Sequence, residues 1–241
     1  MNDMVRSSRT LGVLGGMGPA ATVDVLDKIV RHTPAARDQD HIPILVRCVP
    51  QIPDRSEALL GHGASPAEAL AEGARRLRQA GAELLAIACN TAHHWYPAIH
   101  DAFDGPVVHI AEAVIDQLRH EHARTIGVMA TSGTMASGFY RHYIEQAGYA
   151  VLEPLPDSQA DDVNRAIACV KAGDRLAAMP CARRAADALF DRGAEQVVLA
   201  CTELPLALTG LPDAPLLDAN DALARACVRA ACEVSVLQAI A

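Results

Sequence analysis

Two stretches of sequence that share one pattern determine how this chain folds. Residues 81–89 read Gly-Ala-Glu-Leu-Leu-Ala-Ile-Ala-Cys, and residues 193–201, at an offset of 112, read Gly-Ala-Glu-Gln-Val-Val-Leu-Ala-Cys. Each stretch is a turn signal followed by an apolar run of strand length, and each run leads into a cysteine. The repetition predicts two similar halves, and we infer a duplication.

Two further pairs of segments support the duplication. Leu-Gly-Val-Leu at 11–14 is followed by Gly-Gly-Met-Gly, and its counterpart at an offset of 115 is Ile-Gly-Val-Met, followed by Ala-Thr-Ser-Gly. Pro-Val-Val-His at 106–109 corresponds to Pro-Leu-Leu-Asp, at an offset of 109. Three landmarks at nearly constant offset are difficult to obtain by chance.

Short aliphatic runs alternate with longer amphipathic stretches along the whole chain. This alternation predicts βαβ units with parallel strands, and the near-continuous apolar strands predict sheets that are covered on both faces. The predicted strands are 10–14, 44–48, 84–88, 107–109, 125–129, 151–153, 196–200 and 216–217; the predicted helices are 20–32, 66–80, 111–120, 137–147, 161–172, 179–192 and 221–239.

The expected fold class is therefore α/β, with two pseudo-symmetric three-layer half-domains, mainly parallel sheets and an active site in the cleft between them. We assign residues 1–112 and 211–241 to the first domain, on the side of Cys89. Residues 113–210 form the second domain, on the side of Cys201, and the C-terminal helix returns to the first half.

Composition narrows the class of protein. Of the 241 residues, 51% are hydrophobic and only 3% are aromatic, so the core must be aliphatic. The net charge of −8 argues against nucleic acid or anionic membranes as partners. No apolar run is long enough to span a membrane, and the polar N-terminus does not resemble a signal peptide. The seven cysteines lack tight spacing, which suits reduced thiols and predicts a cytoplasmic protein.

The repeated cysteines suggest the chemistry. Ligands of open parallel sheets bind beyond the carboxyl ends of the strands, so two facing halves would place Cys89 and Cys201 across one cleft. This arrangement suits racemisation, in which one thiolate removes an α-proton and the other thiol protonates the opposite face. A strand-end cysteine is otherwise a small buried apolar residue, and we keep that interpretation for Cys48, Cys169, Cys181, Cys227 and Cys232.

A thiol with the usual pKa of about 8.5 is mostly protonated at neutral pH, so the site must favour a thiolate. Asn90 and Thr91 after the first cysteine, and Thr202 after the second, offer N–H groups and cap-type side chains at helix starts. We expect these groups to help lower the pKa of one thiol.

Residues 16–21, Gly-Met-Gly-Pro-Ala-Ala, also match a dinucleotide-binding pattern. Pro19 lacks the N–H that a phosphate would accept, and no acidic residue ends the second strand, which argues against a dinucleotide. We instead expect the N–H groups of this turn, including those of Met17 and Gly18, to meet a small carboxylate; a plain tight turn is the alternative.

Three charged residues have two interpretations each. Arg55 is either a bidentate clamp for a carboxylate or a solvated loop arginine. Lys171 either lowers a thiol pKa or complements a helix dipole, and Glu203 is either functional or a helix N-terminal carboxylate. Cys89 and the two following histidines are too few ligands for zinc, so no metal is predicted; we expect His93 to pack beneath the loop.

Six segments together resemble one known family. They are Leu-Gly-Val-Leu-Gly-Gly-Met-Gly-Pro (11–19), Pro-Gln-Ile-Pro-Asp-Arg (50–55), Ala-Cys-Asn-Thr-Ala-His (88–93), Thr-Ser-Gly-Thr (131–134), Val-Lys-Ala-Gly (170–173) and Ala-Cys-Thr-Glu-Leu-Pro (200–205). In this order they resemble the aspartate racemase branch of the aspartate/glutamate racemase family, over almost the whole chain.

The resemblance implies a cofactor-independent amino-acid racemase without pyridoxal phosphate, built from two α/β domains and commonly a homodimer. It implies that Cys89 and Cys201 are the acid/base pair and that Glu203 marks the aspartate branch. The positions associated with the substrate α-carboxylate and amino group are Asn90, Thr91, Thr131, Ser132, Gly133 and Thr134; those associated with the side-chain carboxylate and the thiols are Arg55 and Lys171.

The expected reaction is the interconversion of L- and D-aspartate, with glutamate or another amino acid as the alternative substrate. Two other functions remain open from sequence. One is a related isomerase or decarboxylase that uses one cysteine, and the other is a non-catalytic cytoplasmic amino-acid binder. Retention of both cysteines argues against the former.

Overall fold

The computed structural model describes residues 8–208 and 214–232. Each predicted strand is found there, with bounds that differ by at most two residues from the prediction. The strands are β1 (Leu11–Gly15), β2 (Ile44–Cys48), β3 (Leu84–Ile87), β4 (Val107–Val108), β5 (Thr125–Met129), β6 (Ala150–Leu152), β7 (Gln196–Leu199) and β8 (Leu216–Asp218).

Twelve helices accompany the strands in this described part of the chain. They are α1 (Pro19–His32), α2 (Arg55–Leu59), α3 (Ala67–Gln79), α4 (Tyr96–Phe103), α5 (Ile110–Leu118), α6 (Ser132–Ala136), α7 (Phe139–Gln146), α8 (Pro156–Ser158), α9 (Arg165–Lys171), α10 (Arg175–Asp191), α11 (Leu204–Ala207) and α12 (Ala219–Cys232). The sequence analysis missed α2, α4, α6, α8 and α11, which are too short to show a clear helical period.

The two sheets have the same topology. Their strand orders are β2-β1-β3-β4 and β6-β5-β7-β8, and all pairs are parallel. The central pairs also match in register: Leu14 faces Ile87 at the end of one sheet, and Met129 faces Leu199 at the end of the other. The predicted α/β fold with two equivalent halves is confirmed.

Side-chain alternation along the central strands assigns each face of a sheet to a different core. In β3, Leu84 and Ala86 join a cluster that both sheets share, whereas Leu85 and Ile87 face the outer helices α3 and α4. In β7, Val198 likewise joins the shared cluster while its neighbours face α9, α10 and α11. Helices α1, α5 and α12 fill the layer between the sheets, so the halves are joined by one aliphatic core.

The end of the chain divides between the halves. Strand β8 pairs with β7 in the second sheet, and α12 then packs against α1 and α5. Helix α12 thus contacts α1 of the first predicted domain and also α5, most of which we assigned to the second domain. Residues 216–218, which we assigned to the first domain, pair in the second sheet. The predicted boundary at 210–211 and the predicted helical positions 233–239 lie outside the described residues.

A buried ion pair also joins α1 to the second half. The Lys28 ammonium, whose side chain is only 8% exposed, contacts Asp24 on its own helix and Asp218 Oδ2 of β8 at 2.7 Å. The Asn220 amide donates to Asp24 Oδ2 at 3.0 Å and to the Thr202 carbonyl at 3.2 Å. This network connects α1 to the backbone that directly follows Cys201.

We expect Lys28→Met to lower the free energy of unfolding by about 3 kcal/mol, because it leaves two partly buried carboxylates without their cation. Arg31→Met is the matched control on the same helix, since Arg31 pairs with Asp27 at 2.7 Å but both side chains are mostly exposed. That variant should lose less than about 1 kcal/mol. Chemical denaturation measures both, and equal losses would contradict a special role for the Lys28 network.

Candidate active site

One cleft beyond the carboxyl ends of both sheets contains both repeated cysteines. The space between its lining atoms, counted together with the open solvent at its mouth, is about 280 Å³. Cys89 and Cys201 are each only 4% exposed. Each lies two residues past the last paired residue of its strand, Ile87 or Leu199, rather than at the last position of the strand. The lining residues are Met17, Asp54, Arg55, Ser56, Cys89, Asn90, Thr91, Thr131, Lys171, Cys201, Thr202 and Glu203.

Most of the predicted site residues thus meet in one place, and four do not line the cleft. Gly18 lies beside it, because a Cβ at this position would be 3.2 Å from Glu203 Oε1. The other three, Ser132, Gly133 and Thr134, belong to α6, which begins directly after the lining residue Thr131. Sequence reasoning missed the lining residues Asp54 and Ser56, although Asp54 follows proline in the quoted segment 50–55 and has the residue type of a helix N-cap.

The Cys201 thiol has a carboxylate partner. Its Sγ–H donates to Glu203 Oε2 at 3.1 Å, and the Thr202 hydroxyl donates to the same oxygen at 3.0 Å. Burial raises the pKa of Cys201 well above its usual range, and the Glu203 charge raises it further, whereas the charge of Lys171 acts in the opposite direction. Cys201 is therefore a protonated donor in this arrangement.

Three threonine hydroxyls join the two halves at the cleft. Thr91 Oγ1 lies 2.8 Å from Thr134 Oγ1 and 3.2 Å from Thr131 Oγ1, and the last two are 3.0 Å apart. Thr131 also caps α6, since its hydroxyl accepts the N–H of Thr134 at 3.2 Å. The Thr91 and Thr131 side chains consequently face the cleft from opposite halves.

Arg55 is buried rather than a solvated loop residue, and it begins α2 instead of lying in a loop. Its Nη1 donates to the carbonyls of Ile52 at 3.0 Å and Pro53 at 2.9 Å, and its Nη2 donates to the Met17 carbonyl at 3.2 Å. The buried Nε–H has no hydrogen-bond partner among the described residues. The guanidinium thus fixes the glycine turn and keeps one donor for a ligand.

Not every backbone N–H of the glycine turn is available to a ligand, contrary to the expectation from the sequence. The Gly16 N–H donates to the Thr22 hydroxyl at 2.9 Å, and that hydroxyl donates to the Gly18 carbonyl at 2.9 Å. Gly16 has φ +96°, and a Cβ there would lie 2.3 Å from the Val49 nitrogen, so no other residue fits. The N–H of Gly16 therefore stabilises the turn itself.

Helix α6 fits closely against the first half. A Cβ at Gly133 would lie 2.6 Å from the Ser56 Cα, so this glycine permits the contact between α6 and α2. The Ser132 hydroxyl exchanges hydrogen bonds with the Asn164 amide, at 3.1 and 2.8 Å, in the π-helical segment that precedes α9. Ser132 and Gly133 thus hold α6 against its neighbours and do not line the cleft.

Two opposite charges lie at the exposed side of the cleft. Lys171 ends α9 on the second half, and Asp54 caps α2 on the first half by accepting the N–H groups of Ser56 and Glu57. Although burial opposes its ionisation, the Glu57 N–H and the charge of Lys171 hold the pKa of Asp54 below its usual value. The charge of Lys171 therefore acts on groups across the cleft, beyond any effect on its own helix.

His93 packs beneath the cysteine loop, as predicted. Its Nε2 accepts the Ile110 N–H at 3.2 Å, so the proton resides on Nδ1, which donates to the Cys89 carbonyl at 2.9 Å. Burial, assisted by the nearby charge of His109, lowers the pKa of His93 to about 3. The neutral ring ties the backbone of Cys89 to the start of α5.

The described residues contain no cluster of three or more histidine, cysteine or acidic side chains that could hold a metal ion. None of the helices observed in residues 8–208 and 214–232 combines the length and apolar character needed to cross a membrane.

Comparison with known proteins identifies the family. The family described as Asp/Glu/Hydantoin racemase matches residues 14–227. The chain belongs to this racemase family. Family membership and the relatives below give its activity class as amino-acid racemase, and they confirm the resemblance noted in the sequence.

Three members of the racemase family illustrate the range of relatives. A broad specificity amino-acid racemase, RacX, of Bacillus subtilis is 27% identical over 223 residues, which cover 90% of this chain and 96% of that protein. The aspartate racemase of Picrophilus torridus has a solved structure with a TM-score of 0.84 and 28% identity, covering 92% of this chain and 94% of that chain. A glutamate racemase of Deinococcus radiodurans is 27% identical over 212 residues, covering 83% of this chain and 65% of that protein.

We expect Glu203→Gln to make Cys201 easier to ionise, because the substitution removes a negative charge beside the thiol. The pH midpoint for alkylation of Cys201 by iodoacetamide should fall by about one unit. Mass spectrometry of the Cys201 peptide as a function of pH measures this midpoint. Glu57→Gln, which removes an exposed carboxylate outside the cleft, should leave it unchanged; an unshifted midpoint in Glu203→Gln would contradict the assigned contact.

Proposed function

We propose that this protein is a cofactor-independent racemase that interconverts L- and D-aspartate by proton transfer between two thiols. The observation that carries the proposal is the equivalence of Cys89 and Cys201. They occupy the same position after the same strand of two sheets with the same topology, and both line one buried cleft.

In the proposed reaction each thiol carries out one proton transfer. The Cys89 thiolate takes the α-proton, which breaks the Cα–H bond, forms an S–H bond and leaves the electron pair delocalised into the substrate carboxylate. Cys201 then gives its proton to the opposite face of Cα and becomes a thiolate. The reverse sequence acts on the other enantiomer. The hydrogen bond from Cys201 to Glu203 supports Cys201 as the proton donor at the start.

Negative charge grows on the substrate carboxylate as the α-proton leaves, so donors at that position lower the barrier. The cleft offers two buried donors that are unpartnered among the described residues, Arg55 Nε and Asn90 Nδ2. The hydroxyls of Thr91 and Thr131 and the charge of Lys171 add to them. We infer that these groups hold the two carboxylates of aspartate.

Aspartate is proposed over other amino acids on two grounds. Glu203 follows Cys201 at the position that the resemblance associates with the aspartate branch. The Picrophilus torridus protein, named an aspartate racemase, matches 92% of this chain. Glutamate and neutral amino acids are the alternatives, and the Bacillus subtilis relative is described as having broad specificity. A homodimer and a cytoplasmic location remain predictions of the sequence analysis.

The test of the proposed function is proton exchange. Purified protein with L-aspartate in D₂O and no added cofactor should lose the α-proton NMR signal, while D-aspartate appears on a chiral column. L-glutamate and neutral amino acids tested in parallel define the substrate. If none of them exchanges and aspartate only binds, the chain is a binder and the proposal is wrong.

Single cysteine variants separate the two thiols. We expect Cys89→Ser and Cys201→Ser each to lower racemisation at least about a hundredfold, because each removes one proton-transfer group. Each variant keeps one thiol, so each should exchange the α-proton of only one enantiomer, with retention, and the two variants should act on opposite enantiomers.

Cys181→Ser is the matched control for these variants. Cys181 is equally buried, but its Sγ accepts from Arg184 at 3.4 Å, and it does not line the cleft. This variant should racemise aspartate at the wild-type rate. Full activity in either Cys89→Ser or Cys201→Ser would contradict the two-thiol mechanism.

A further inference from the structure

Tyr140 reaches across the boundary between the halves. It lies on α7 of the second half, is only 2% exposed, and belongs to the aliphatic cluster shared by both sheets. Its hydroxyl donates a short hydrogen bond to Oδ1 of Asn90, the residue after Cys89 in the first half. Tyr140 itself does not line the cleft, but Asn90, which accepts its hydrogen bond, does.

The Tyr140 hydroxyl is fixed as a donor. Burial raises its pKa well above the usual range, and the charges of Cys201, Asp218 and Cys89 act in the same direction. The phenol therefore stays protonated wherever the protein is folded and active. A hydroxyl that donates to this amide must bond to the carbonyl oxygen, because the amide NH₂ group is a donor and cannot accept a hydrogen bond.

The other end of the same amide is unoccupied. Asn90 is 2% exposed and lines the cleft, and its Nδ2 has no hydrogen-bond partner within the described part of the chain. A buried donor without a partner is costly, so its presence at a ligand cleft indicates an acceptor supplied by the ligand. The oxygen and nitrogen of an amide are bonded to the same planar carbon, so fixing the oxygen also fixes the direction of the nitrogen.

We propose that Tyr140 is a positioning residue, which orients the Asn90 amide so that its NH₂ group donates to a carboxylate of the substrate. The inference rests on the proposed function. Without the phenol hydroxyl, the amide can rotate by half a turn and present Oδ1 to the same carboxylate. Two oxygen acceptors would then face each other, and the contact would change from attractive to repulsive.

A double-mutant cycle tests this role, with kcat/KM for aspartate α-proton exchange as the readout. Tyr140→Phe should lower kcat/KM about tenfold or more, the range for one hydrogen bond to a charged group. Asn90→Ala should lower it by a similar or larger factor. The combined variant should be within about twofold of Asn90→Ala alone, because Tyr140 has nothing to orient once the amide is gone.

Tyr143→Phe is the matched control. Tyr143 lies one turn further along α7, and its hydroxyl meets His109 Nε2 at 3.2 Å, away from Asn90. This variant loses the same atom from the same helix and should keep wild-type kcat/KM. The pH profile of Tyr140→Phe should keep both limbs of the wild-type profile, since Tyr140 transfers no proton in the proposed role.

Three results would overturn the inference: unchanged kcat/KM in Tyr140→Phe, additive losses in the combined variant, or the loss of one limb of the pH profile. Absence of exchange in the wild type is a different result and overturns the proposed function. In that case the affinity for aspartate is measured by calorimetry for the wild type and the same three variants. A Tyr140→Phe effect that vanishes in the Asn90→Ala background supports the orienting role, and additivity refutes it.

Discussion

The site depends on one constraint, which is that two sheets pack against a single shared layer of helices. Helices α1, α5 and α12 lie between the sheets and contribute to the same aliphatic cluster as the inner faces of β1, β3, β5 and β7. Side chains alternate between the two faces of a strand, so this packing also fixes which face the last side chains of each strand point to. Cys89 and Cys201 fall on the same face as the outward-facing residues of their strands. The fold therefore brings them to the cleft in equivalent orientations.

The duplicated framework is symmetric, but the chemistry around the two thiols is not. Cys201 donates to Glu203, and its surroundings oppose ionisation. Cys89 is followed by Asn90, whose oxygen is held by Tyr140, and its carbonyl accepts from His93. A racemase must treat two mirror-image substrates, and they differ only in which face carries the proton. In the proposed reaction the two thiols start in different protonation states, and each turnover exchanges these states.

Sequence patterns predicted those features that depend on local periodicity. The strands followed from apolar runs, and the similarity of the two halves followed from the repeat of residues 81–89 at 193–201. The side-chain partners inside the site were not predictable in this way. Tyr140 and Asn90 are 50 residues apart, and in the sequence Tyr140 resembles any core residue of an amphipathic helix. The binding of Arg55 to three backbone carbonyls likewise depends on how segment 50–55 folds over the glycine turn.

The contacts between the halves differ in kind on the two sides of the cleft, and this difference bears on substrate entry. Both thiols are almost fully buried at the cleft side of the molecule, so substrate entry requires some of the contacts that cover them to break. The contacts on that side are polar, including the three threonine hydroxyls, and water can replace each of them when the halves part. On the far side the halves share an aliphatic core, and separation there would expose apolar surface at a much larger cost. The polar contacts at the cleft therefore cost less to break than the aliphatic core on the far side.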